Sequence, residues 1–223
     1  MSDKSEQENS LVFSYLTLRK TIGLLGIALP VVLAVGGLLI FEPPMLQKSI
    51  SAYYHTDMRQ VFVGTLWAIG FFLLSYKGYE RADAIAGDLG CIFAVGMTFF
   101  PTWPDPSPLE CLVSPHALLL GRIHVALAGS FFLTLIYFSL FLFTKTDPSK
   151  PPTRKKLQRN MVYRACGYVM ALCVLLIGIY YLVQRKDLSF LVTYNPVFWL
   201  EAVAIFAFGI SWLTKGEAIL KDQ

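Results

Sequence analysis

The side chains able to do acid–base or metal chemistry are few, and they fall in a few places. The chain of 223 residues holds three histidines, His55, His116 and His124. His55 lies in "SISAYYHTDMRQ" (49–60), together with Ser51 and Asp57, and Glu201 lies in the apolar run "NPVFWLEAVAIF". Imidazole and carboxylate together are the usual ligands of zinc and the usual general acid–base pair. His116 and His124 are poor co-ligands of one ion. Eight residues on a straight helix separate them by about 12 Å of rise and about 80° of rotation, whereas zinc needs ligand nitrogens ~2 Å away. The better metal set is His55 and His124, with Glu201 or Asp57 as a third ligand, and zinc is the ion it would suit. Without a metal, the same group offers His124 or His55 as a base, Glu201 as its partner and Ser51 as a nearby hydroxyl. A plainer reading makes all of them interfacial residues that satisfy loop backbone and lipid headgroups.

The elements that must position these residues are membrane helices. Hydrophobic residues make up 55% of the chain and charged residues 15%, where a soluble domain carries about 25% charge. The apolar residues come in long blocks, 21–41, 60–76, 84–100, 118–143, 161–183 and 195–214. Each approaches the ~20 residues a helix needs to cross ~30 Å of hydrocarbon, with 60–76 and 84–100 at the short end. The expected fold is all-α, an integral membrane bundle of six transmembrane helices. It divides into a polar cytoplasmic tail (1–20), a transmembrane domain (21–214) and a second cytoplasmic tail (215–223). The opening "MSDKSEQENS" reads as disordered, and the first block lacks a signal-peptide cleavage site, so it stays as a helix that Pro30 should kink.

Lys and Arg set the orientation. The N-terminal tail, the 77–83 loop, the 144–164 loop and the C-terminal tail hold fourteen of them, and the opposite loops hold five. The positive-inside rule then puts both termini in the cytoplasm and the histidines outside. The membrane expected is a bacterial inner (plasma) membrane. The basic 145–164 loop suits anionic lipid, and nucleic acid is excluded as a partner because the same rule already accounts for the charge. Cys91, Cys166 and Cys173 fall inside helices and Cys111 in an outer loop, so no structural disulfide is expected.

Small residues should pack the bundle. Ala86, Gly87, Gly90, Cys91 and Ala94 line one side of the third helix, which suggests that it sits centrally against Gly64 and Ala68 of the second and Gly121, Ala128 and Gly129 of the fourth. Asp88 reads as a structural carboxylate in that seam. Arg122 should snorkel to the interface, and Tyr53, Tyr54, Trp103, Tyr180 and Tyr181 should form an aromatic belt. Ser114-Pro115 predicts a helix start, Ser as N-cap and Pro as first residue, running unbroken through His124. Gly121 and Ala128 share the face of His124, so its imidazole points inward. The 49–60 stretch should fold over the outer mouth and carry His55 toward His124 and Glu201, both otherwise unpaired at membrane depth.

Two resemblances bear on function. "SAYYH" (51–55) resembles the Ser-x-x-x-His motif of the alkaline ceramidase and progestin/adiponectin-receptor superfamily, which implies a zinc-binding histidine with a serine beside it. The chain lacks the later H-x-x-x-H of that superfamily, has six expected spans in place of seven, and has Asp88 at the wrong face. The whole layout resembles small six-span proteins of the DRAM/Frag/Sfk type, through the polar outer loop of "SISAYYHTDMRQVFVG" and the histidine of "GRIHVALAGSFF". That implies a lipid-associated membrane protein. The favoured function is recognition of a lipid headgroup or a membrane protein partner at an outward-facing His/Glu site. The alternatives are a metal-dependent hydrolase acting on a lipid or lipid-linked substrate, and a small-solute or ion transporter. The last has few charged residues to line a path and no internal repeat to build one.

Overall fold

The computed structural model describes residues 2–78, 80–103, 114–146, 149, 151–183 and 194–220, with side chains from residue 14 onward. Among the described residues six helices follow one another: α1 (Ser2–Ile40), α2 (Arg59–Leu74), α3 (Arg81–Phe99), α4 (Pro115–Tyr137), α5 (Arg154–Val183) and α6 (Pro196–Lys215). A 3-10 turn, Ser51–His55, precedes α2, and a π turn, Phe138–Leu142, extends α4. Among the described residues there is no strand. Five stretches of the described residues are long and apolar enough to cross a membrane: Ser14–Ile40, Arg81–Phe99, Pro115–Leu142, Arg154–Val183 and Pro196–Lys215. At 16 residues α2 is shorter, about 24 Å of rise.

The start of α1 corrects the reading of the first ten residues as a disordered tail. No glycine or proline occurs before Gly23, and the Glu, Gln, Lys and Leu residues there favour helix. Pro30 lies within α1 without ending it. The start of α4 is as expected, with Ser114 Oγ accepting from Ala117 N–H at 3.1 Å and Pro at the first turn.

Each helix packs on its neighbour in the chain, and α6 closes the ring by packing on α1. Among the described residues no helix packs on all the others. The expected central third helix is instead one wall, held between α2 and α4. Its small-residue face is as read: Ala86, Gly87, Gly90, Cys91 and Ala94 are all buried. A Cβ on Gly87 would lie 2.5 Å from the Leu73 carbonyl oxygen, so α2 and α3 approach backbone to backbone. Gly64 and Gly129 do not belong to any seam, since a Cβ there would meet nothing. The tight crossing that the sequence reading missed joins α1 to α6, where a Cβ on Gly23 or on Gly209 would sit 2.8 Å from the other's carbonyl oxygen.

Asp88 is exposed and takes no part in the α3 seam. Asp83 is the buried carboxylate, 1% exposed. The two lie five residues apart, about 140° around the helix, so only one can share the face of Ala86, Gly87 and Gly90. Asp83 Oδ2 accepts from Glu80 N–H at 3.1 Å, the returning half of a capping box, and lies 3.6 Å from Lys145 Nζ. Lys145 also reaches Glu80 at 3.0 Å, and that contact, ahead of the Asp83 charge, holds its pKa above the usual lysine value. Nearby, Tyr76, Phe138, Phe143 and Trp212 form a buried aromatic core with centroids 5.1–6.4 Å apart. The π turn contributes to it, with Phe143 N–H bonding Phe138 O at 2.9 Å, and Ser139 meets Ser211 at 2.8 Å behind it. We call this the Lys145 end; the opposite end of the ring is the His55 end. Cys91, Cys166 and Cys173 are buried free thiols, and Cys111 lies outside the described residues.

Candidate functional site at the His55 end

Residues 41–58 connect α1 to α2 and dock onto the first turns of α6. Three hydrogen bonds form the attachment. Asn195 Nδ2 donates to Leu46 O at 3.2 Å, Phe198 N–H to Lys48 O at 3.1 Å, and Ile50 N–H to Glu201 Oε2 at 2.6 Å. The backbone of Ser51 also lies against the Glu201 carboxylate. Glu201 therefore acts as an N-cap supplied from another helix, accepting at the start of the 3-10 turn where backbone N–H groups lack partners. Ser49 Oγ does the same locally for Ala52 N–H at 3.0 Å. Tyr53 then inserts between Phe41 and Phe198 with its side chain fully buried. It belongs to the core and not to an aromatic belt. The raised pKa of its hydroxyl follows from that burial.

The stretch continues outward from this anchor. Thr56 Oγ1 donates to Tyr53 O at 2.8 Å and accepts from Met58 N–H at 3.2 Å, turning the chain into α2. Arg59, the first residue of α2, donates from Nη2 to Tyr54 Oη at 2.5 Å, with its guanidinium carbon 4.2 Å from the Tyr54 ring centre. The His55 ring stands edge-on to Tyr54, and its Nε2 is 2.6 Å from Thr102 O. That contact makes Nε2 the protonated nitrogen and leaves Nδ1 as an acceptor in the neutral ring. These side chains line an open groove of about 550 Å³, bounded by Phe41, Met45, Gln47, Tyr54, His55, Thr56, Asp57 and Arg59. Asp57 is exposed.

His124 points into the bundle as expected and is 3% exposed. Its Nδ1 lies 2.7 Å from Phe100 O and 3.1 Å from Met97 O, the carbonyls at the end of α3. An imidazole held by two carbonyls donates from that nitrogen, while Nε2 is buried without a hydrogen bond among the described residues. His55 and His124 thus close on one short segment, residues 97–102, from the groove and from the bundle. Glu201 is not with them. It lines a small enclosed cavity of about 40 Å³ with Ser51, among Leu29, Phe62, Met97 and Phe208. A cavity of that size holds a few waters at most.

The expected site residues stand apart in the structure. His55, His124, Glu201 and Asp57 do not gather as a metal set, and among the described residues no three His, Cys, Asp or Glu side chains do. Each has a different environment: His55 on Thr102, His124 on the α3 carbonyls, Glu201 on Ile50, and Asp57 at the surface. The proposed catalytic group His124, Glu201, His55 and Ser51 is likewise divided, Ser51 with Glu201 on the cavity and His55 on the groove. His116 is exposed in the first turn of α4, and Arg122 is exposed as well. The sequence reading missed Tyr54 and Arg59 as a pair. Their i, i+5 spacing across a turn carries no periodic signal. No protein-family model, curated protein or solved structure matches the chain.

Proposed function

We propose that the protein is an integral membrane protein of six crossings, with α2 as the short sixth. In this reading both termini are cytoplasmic, the His55 end faces outward, and the groove there binds a phospholipid headgroup. One observation carries it: charged and polar side chains, Arg59, Asp57, His55 and Gln47, line an open groove that also includes apolar Phe41 and Met45. A headgroup needs the first set and its glycerol and upper chains need the second. The engagement of Glu201 and His124 with backbone supports binding over hydrolysis, because neither side chain is left beside the groove to act on a bound ester. At the other end, the basic 145–164 loop would rest on anionic lipid.

The test uses full-length protein in native membranes and a phospholipid carrying a photoreactive group near its headgroup. Adducts should concentrate on residues 45–59, and Arg59→Ala should reduce them at least about fivefold, in line with losing one charge-assisted contact. Adducts spread evenly over the lipid-facing surfaces of α4 and α5, unchanged by Arg59→Ala, would overturn the reading.

A further inference from the structure

Resting on that headgroup reading, we infer that the groove is built for a zwitterionic headgroup that joins a phosphate to a primary ammonium, the chemistry of phosphoethanolamine. The argument begins with charge. Among the described residues the groove carries one fixed cation, Arg59, and one fixed anion, Asp57, two residues apart around the start of α2. A ligand of net negative charge gains from Arg59 and loses against Asp57. A phosphate with an ammonium a few bonds away gains from both.

The position of each charge selects its partner. Arg59 presents a planar fork of five N–H donors, one of them occupied by the Tyr54 hydroxyl. That bond and the stacking on the Tyr54 ring fix the guanidinium, so the remaining donors are aimed before a ligand arrives. They match phosphate oxygens in the bidentate manner that guanidinium favours. Arg59 also opens α2, where the helix dipole favours an anion.

The ammonium half is decided by the described lining of the groove. Quaternary ammonium groups are recognised by aromatic faces that enclose them. Among the described residues only two aromatic carbocycles line this groove, Phe41 and Tyr54, and the guanidinium already covers the Tyr54 ring. What remains is acceptors: the exposed Asp57 carboxylate and the side-chain oxygen of Gln47. A primary ammonium has three N–H donors for them, and a trimethylammonium has none. Phe41 and Met45 in the wall commit the occupant to a lipid over the free headgroup.

Calorimetric titration of the full-length protein in detergent separates these claims. The titrants are short-chain dihexanoyl phosphatidylethanolamine, phosphatidylcholine and phosphatidylglycerol, and glycerophosphoethanolamine without chains. The ethanolamine lipid should bind at least about fivefold more tightly than the choline and glycerol lipids, and more tightly than its chain-free headgroup. Asp57→Asn should remove the ethanolamine preference, weakening the choline lipid less than the ethanolamine lipid. Arg59→Gln should weaken all three lipids about tenfold, and Arg59→Lys should recover part of that loss. Equal affinity for the ethanolamine and choline lipids, tightest binding of phosphatidylglycerol, or an ethanolamine preference that survives Asp57→Asn would overturn the zwitterion assignment while leaving a headgroup site. Equal affinity for the chain-free compound would overturn the lipid assignment. Binding of all the lipids unmoved by Arg59→Gln, or no binding, would remove the headgroup reading itself.

Discussion

Replacing Glu201 by Ala should free the 46–52 segment from α6, and the size of the effect can be worked from the hydrogen bond it removes. The carboxylate accepts the Ile50 N–H at 2.6 Å in a site where water has little access. A hydrogen bond to a charged acceptor contributes about 1.5–3 kcal/mol, and the Ile50 N–H left buried without a partner is what carries its deletion into that range. Truncation also enlarges the cavity that Glu201 shares with Ser51 and Met97, which adds a smaller apolar penalty. A loss of about 2–4 kcal/mol should lower the thermal midpoint in detergent by roughly 5–15 °C for a chain of this size. Glu201→Gln keeps an acceptor oxygen and should lose less than half as much. The location of the damage is the sharper readout. Amide exchange at Ile50–Tyr53 should speed up in Glu201→Ala while the amides of α3 and α5 keep their rates. A midpoint within about 1 °C of wild type, with Ile50 exchange unchanged, would show that Asn195, Phe198 and Tyr53 hold the segment without Glu201 and would refute the trans-capping argument.

At the α2–α3 crossing, Gly87→Leu should sharply reduce the yield of monodisperse protein in detergent, because its Cβ meets the Leu73 carbonyl, which cannot move aside. Leu89→Ala, at a 39% exposed position, should stay close to wild type, and equal yields would contradict the close approach. At the Lys145 end, Lys145→Ala should cost more stability than Glu80→Gln, since it leaves buried Asp83 without its cation whereas Glu80 is 64% exposed. The raised pKa of Lys145 adds a pH signature. A lysine whose folded pKa lies above its unfolded value stabilises fully below the ordinary 10.5 and loses that contribution as pH rises through the folded value. The gap between wild type and Lys145→Ala should therefore be flat from about pH 7 to 10 and close above about 10.5, as followed by unfolding at each pH.

Where the sequence was readable, helical spacing made it so. The face of Ala86, Gly87 and Gly90 and the inward turn of His124 between Gly121 and Ala128 both follow from residues three and four apart; the first face is buried, as are Gly121 and His124, with Ala128 half-buried. The same rule applied one step further would have found Asp83, which precedes Ala86 and Gly87 by three and four residues. Asp88 drew notice for its depth, although its angle puts it on the opposite side. What helical spacing cannot supply is the partner across the ring. Gly23 meeting Gly209, Ile50 meeting Glu201 and His55 meeting Thr102 are separated by 186, 151 and 47 residues, and nothing local in either member points to the other. The dispersed metal set has the same cause. Residue type and membrane depth grouped His55, His124, Glu201 and Asp57, but each found backbone or solvent before it found the others.

Buried Asp83 and half-buried Glu201 are held in different ways, and the difference bears on the groove. Asp83 is held by a backbone N–H and a lysine, so its charge is matched by a cation. Glu201 is held by the backbone of the 46–52 segment, and among the described residues no Lys, Arg or His forms an ion pair with it. Its burial therefore depends on that segment staying docked. The segment that satisfies Glu201 also contributes Gln47 to the groove and leads directly into Tyr54, His55 and Arg59. A ligand held by Arg59 and Gln47 acts on the same segment that makes the hydrogen bonds to α6. Ligand binding and the docking of this segment are then linked equilibria, and each must shift the other by the same free energy. If binding pulls the segment away from α6, Glu201→Ala should tighten headgroup binding even as it lowers stability. If binding clamps the segment down, the same substitution should weaken both.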